Sequence, residues 1–136
     1  MINKVYKDDR LVATIIDFLG DISSTSFFTD EASPLQVGVI SKKSDERVQA
    51  HRHNLFERKI VGTSEFLYVL EGKMEITVYD DSFQNPETFS LGVGSGVLLS
   101  AGAHSIQFLE TTKLMEIKQG PYSAEIDKVY REELNP

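Results

Sequence analysis

The apolar residues of this chain come in short runs rich in Val, Ile, Leu, Tyr and Phe, and Gly, Asp, Ser and Pro separate the runs. That punctuation constrains the fold more than any other feature. No run has the length and 3.6-residue period of a core helix, and none approaches the roughly 20 apolar residues needed to span a bilayer. Short β-rich runs between turn residues predict an all-β sandwich or barrel. The expected strands are Leu11–Phe18, Leu35–Ser41, Arg47–His53, Glu65–Leu70, Lys73–Tyr79, Thr88–Leu91, Gly96–Leu99, Ala103–Leu109 and Leu114–Lys118. Two hairpins are marked, one by Glu71-Gly72 and one by Glu110-Thr111-Thr112. Asp80 to Glu87 reads as a polar loop. After Gly120-Pro121, the helical spacing of Ile126, Val129, Tyr130 and Leu134 suggests a short C-terminal helix over Ile126–Leu134.

A length of 136 residues is that of one domain, 1–136, with enough chain for a single core. With 14 Lys+Arg against 21 Asp+Glu, the net charge is −7. Such a surface repels phosphate backbones and anionic bilayers, so neither nucleic acid nor membrane is an expected partner. The N-terminal stretch has no basic lead or small-residue cleavage site, and a cytoplasmic location is the default expectation. The absence of cysteine removes disulfides, thiolate metal ligands and a cysteine nucleophile.

Chemistry therefore falls to the three histidines. His51 and His53 stand two apart, so on a strand both imidazoles project to one face. His104 opens the run that continues through Ile106 and Phe108, and Glu65 opens the run that continues through Leu67 and Val69. If all four side chains face the interior of a barrel, they form a site for one divalent transition ion. Imidazole and carboxylate donors suit Zn, Ni, Fe, Mn or Co. Alternatively, the same groups serve as acid–base groups or substrate contacts without metal. Glu57 is a rival carboxylate ligand or an acid–base group. Arg58 and Lys59 are candidate contacts for an anionic substrate, against the plainer reading of solvated charges on an exposed arm.

These residues carry a pattern. His51-Arg52-His53, followed by Glu65 and then Gly72, resembles the first motif of the cupin superfamily, G-x5-H-x-H-x3,4-E-x6-G. Gly94 to His104 resembles the second, G-x5-P-x-G-x2-H-x3-N. The closing run Glu116 to Tyr122, with Gly62-Thr63, resembles compact single-domain cupins. The resemblance covers about residues 35–120. It implies a small antiparallel β-barrel, or jelly roll, holding a metal on His51, His53, Glu65 and His104. The sequence also departs from the pattern. Eleven residues, Asn54 to Ser64, separate His53 from Glu65. Ser100 replaces the motif proline, one residue is missing before His104, and the final asparagine is absent.

Three functions follow as expectations. The first is a metal-binding cupin, with or without enzymatic activity, acting on a small oxygen-rich carbohydrate or organic acid. The second is a metal-independent sugar-nucleotide epimerase or ketoisomerase of cupin type, which needs inward basic residues that the sequence does not reveal. The third is a non-catalytic small-molecule-binding module. Phe66, Tyr68 and Leu70 make the Glu65 strand apolar on its second face as well. A homodimer partner is the expected cover, and the segment around Leu11–Phe18 is the competing one.

Overall fold

Alternation of buried and exposed side chains sets the architecture. In the computed structural model, which describes residues 1–134, the strand run Lys73-Met-Glu-Ile-Thr-Val-Tyr79 buries Met74, Ile76 and Val78 and turns Glu75, Thr77 and Tyr79 outward. Among the described residues ten strands form: β1 Ile2–Lys7, β2 Arg10–Asp17, β3 Ser26–Phe27, β4 Gly38–Val39, β5 Glu65–Glu71, β6 Lys73–Tyr79, β7 Glu87–Gly92, β8 Ser95–Leu99, β9 Ala103–Phe108 and β10 Lys113–Lys118. All pairings are antiparallel. One sheet runs β1-β2-β8-β5-β10, a second runs β7-β6-β9, and β3 pairs with β4 alone.

The two larger sheets pack face to face. Val5, Ala13, Leu67, Val69, Val97 and Leu99 of the five-stranded sheet meet Met74, Ile76, Val78 and Leu91 of the three-stranded one. β9 and β10 end their sheets, and no closed barrel forms among the described residues. Among the described residues, no helix is long and apolar enough to cross a membrane.

The hairpin turn between β5 and β6 needs its glycine. Gly72 has φ +84°, and a Cβ there would run into the Thr111 carbonyl and the Thr112 hydroxyl. The outer face of β5 is covered from within the chain at Phe66 and Tyr68, while Leu70 stays exposed. Phe18 packs edge-on against Phe66 at 5.9 Å, Tyr68 at 5.6 Å and Phe28 at 6.0 Å. The segment at the end of the β2 run is thus a cover for that apolar face.

Several expected elements differ. Arg47–His53 forms no strand: its exposed backbone pairs with no sheet, and its one strand-favouring residue is Val48. Leu35–Ser41 shrinks to the two residues of β4. β1 and β3 were not expected. The C-terminal helix is one turn, α1 Arg131–Leu134, preceded by a bend at residues 124–127. The segment 42–63 is exposed at every residue.

Candidate functional site

Strand register brings Glu65 and His104 together. Across the five-stranded sheet, Val5, Ala13, Leu99, Glu65 and Lys118 lie in one row of cross-strand partners. Directly opposed residues share a face, so Glu65 lies on the core side, continuing a row of apolar residues. Leu67 and Glu116 pair in the neighbouring row on that face. On the second sheet, Val78 pairs with His104, Ile76 with Ile106 and Met74 with Phe108. His104 therefore also takes the core side, as its spacing from Ile106 and Phe108 predicts. Gly102, at φ +71°, makes the turn that starts β9. The Ser64 amide donates to Gln119 Oε1 and ties the start of β5 to the end of β10.

His104 Nε2 and Glu65 Oε2 are 3.4 Å apart, with side chains 33% and 20% exposed. The His104 hydrogen bond is the largest influence on Glu65. It outweighs burial and, aided by Glu116, lowers the Glu65 pKa to about 2. Glu116 responds in the opposite sense. Sharing a hydrogen bond with Glu65 raises its pKa, and burial and the Glu65 charge push the same way. Lys118 stands 3.7 Å from Glu116 and 3.5 Å from Asp127. Burial favours its neutral form, but Asp127 and Glu116 outweigh that and raise its pKa. The result is an ionised carboxylate beside an imidazole, a second carboxyl that keeps its proton to higher pH, and a fixed cation.

Beside His104 lies an open cavity of about 660 Å³, between the Tyr79–Phe83 turn, the start of β9 and residues 127–134. Lys128, Tyr130 and Arg131 are among its lining residues. Arg131 is held in its wall by stacking over Tyr79 at 4.8 Å and by donating to the Phe83 carbonyl at 3.0 Å.

The remaining expected site residues lie elsewhere. His51 and His53 sit in the exposed segment 42–63 with ring centroids 5.4 Å apart, and His51 Nδ1 is 2.8 Å from the Gln49 carbonyl. Glu57 and Lys59 are exposed in that segment, and the Arg58 guanidinium stacks on Phe56 at 3.9 Å. Among the described residues, none of Glu57, Arg58 and Lys59 forms an ion pair. No group of three or more His, Asp or Glu side chains with metal-binding geometry forms among them either. The structure thus brings Glu65 and His104 together and leaves His51, His53 and Glu57 apart from them.

Sequence reasoning missed Glu116, Lys118, Asp127 and Tyr130. The first two carried a signal, because Leu114, Glu116 and Lys118 alternate along β10. Only the pairing of Lys118 with Glu65 shows which face they take. No protein-family model matches the chain, and no match was found among curated proteins.

Proposed function

We propose that the chain is a metal-binding cupin whose centre is built on Glu65 and His104, with His51 and His53 completing the ligand set. The supporting observation is the Glu65–His104 pair itself, a carboxylate and an imidazole from opposed sheets 3.4 Å apart at the open margin of the core. Glu65 is ionised across the physiological range, as a ligand must be. The donor set is borderline in softness and suits a divalent transition ion. Within one chain it is half assembled, so no reaction step is routed through the metal here. When bound, such an ion supplies Lewis-acid polarisation of a substrate oxygen. The chain's own residues supply a carboxyl at Glu116 whose pKa its neighbour Glu65 raises, a cation at Lys118, and the cavity beside His104, which has room for a small oxygen-rich substrate.

A metal-independent isomerase of cupin type is the second reading, and one observation favours it. Basic residues stand by the site after all: Lys118 shares the inner face with Glu65, and Lys128 and Arg131 line the cavity with Tyr130. In that reading His104, held by Glu65, takes the substrate proton and Tyr130 is the donor.

Elemental analysis separates the two. Under the metal reading the purified protein carries one of Zn, Ni, Fe, Mn or Co in stoichiometric amount, and His104→Ala and Glu65→Gln each lower it at least about tenfold, since even the loss of an outer-shell partner typically costs about 10–100-fold. Unchanged occupancy in the variants overturns the ligand assignment. A metal-free protein with an intact fold overturns the metal reading in favour of the isomerase.

A further inference from the structure

Residues 42–63 pose a physical problem. Twenty-two consecutive residues are exposed and form no strand. Structureless segments of this length are uncommon in a compact domain and generally have a role. The hydrogen bonds this one makes are internal: the Lys43 amide to Glu46 Oε2, the Glu46 amide to the Lys43 carbonyl, and His51 to the Gln49 carbonyl. Its ends are fixed, with Ser41 bonded to Thr25 and Ser64 to Gln119. Between those anchors it exposes Val48, Leu55, Phe56 and Val61 at 66%, 98%, 62% and 84%. Four apolar side chains this exposed on one tethered loop are available to a partner surface.

Among the described residues β1, β7, β9 and β10 each end one of the two larger sheets, and of these edges β9 is the one that carries His104. β9 ends its sheet with its outer edge unpaired, and Phe108 on its core-side face is 57% exposed. An open edge next to exposed apolar side chains is a template for one more strand. Charge agrees with the match. The segment holds six Lys and Arg against three Asp and Glu, a net +3, whereas the whole chain is −7, so the remaining 114 residues carry −10. A basic arm opposite an acidic body attracts a second body as readily as its own. Out and back, 22 residues at about 3.3 Å each reach roughly 36 Å, enough to cross a two-fold interface.

We propose that residues 42–63 are an exchanged arm. In a two-fold dimer each copy lays this segment along the free β9 edge of the other, in reciprocal fashion. Extended there, His51 and His53 project together toward the partner's Glu65 and His104, and two composite centres form per dimer. Completion of the ligand set rests on the metal reading above; the exchange of the arm stands without it.

The first test is the mass of the native protein by light scattering, for the full chain and for Leu55→Asp/Phe56→Asp. Both positions are exposed in the single chain, so the replacements leave its fold intact. The expected result is a dimer that becomes a folded monomer in the variant. A monomeric wild type, or a dimer indifferent to the variant, overturns the exchange whatever the metal content.

The second test uses complementation with Co(II) as the probe. His51→Ala/His53→Ala and Glu65→Gln/His104→Ala are each dead for binding, and equal amounts are unfolded and refolded together. With exchange, half of the dimers are mixed and each has one intact centre, so about one-quarter of the wild-type Co(II) capacity returns. If wild type binds Co(II) and the mixture regains none, the centre is built within one chain and the exchange is wrong. If wild-type protein binds no Co(II) although the dimer depends on the arm, the metal reading fails and the exchange stands.

Discussion

Shortening Ile76 to alanine is the sharpest probe of the register that puts His104 on the core side. Ile76 is fully buried and pairs with Phe89 on one side and Ile106 on the other. Ile76→Ala removes three carbons, worth about 2.4 kcal/mol at roughly 0.8 kcal/mol per buried carbon. The neighbours come from two strands held in ladders and relax only in part. A residual void adds about 1 kcal/mol, for a total of about 3–4 kcal/mol. With an unfolding entropy of about 2.1 cal/mol/K per residue, 136 residues give about 0.29 kcal/mol/K, so the midpoint falls about 12 °C. Ile76→Val removes one carbon and lowers it by about 3–4 °C. Glu75→Ala, on the opposite face, changes stability by less than about 0.5 kcal/mol. The assay is thermal unfolding followed by far-ultraviolet circular dichroism for all three variants. A one-residue slip of β6 exchanges its two faces. If Glu75→Ala costs as much as Ile76→Ala, or if neither moves the midpoint, the register is refuted, and with it the inward placement of His104.

Gly72→Ala combines an unfavourable left-handed conformation with a collision against Thr111 and Thr112. It lowers stability by about 2 kcal/mol or more, visible as a lower urea midpoint at unchanged slope. The Asp80 carboxylate accepts from the Gln84 and Ser82 amides at 2.9 Å each and from Asn85 Nδ2 at 2.8 Å. The Gln84 bond leads in holding its pKa below the usual carboxylate value, with burial opposing and Asn85 and Ser82 assisting. A depressed folded-state pKa contributes stability that is present in full above the unfolded value of about 3.9 and lost as pH falls through the folded value. Asp80→Ala therefore lowers the melting midpoint at pH 7, and the gap to wild type narrows below about pH 4. A gap independent of pH contradicts the assignment.

The strands legible in the sequence are those whose alternation is tied to a local turn. β6 matches its expected bounds of Lys73–Tyr79, and β5, β8, β9 and β10 fall within two residues of theirs. Here the hydrophobic period and the glycine or threonine turn gave the same answer. β1 was missed because it is an edge strand with one buried residue, Val5, among charged and polar neighbours. Its hairpin to β2 turns on Asp8-Asp9, both at positive φ (51° and 59°), without the glycine that usually marks such a turn.

The site divides along the same physical line. Period two alone puts Glu65 on the face of Leu67 and Val69 and His104 on the face of Ile106 and Phe108. Glu116 and Lys118 needed register between strands about 50 residues apart in the chain, which no local pattern encodes. The His51–His53 stretch is a different case. An extended stretch becomes a strand only where an edge offers its backbone partners. Within one chain, residues 42–63 meet no such edge, while β9 has an edge without an occupant. In the exchange proposed above, the stretch Arg47–His53 pairs along the open edge of β9 on a second copy.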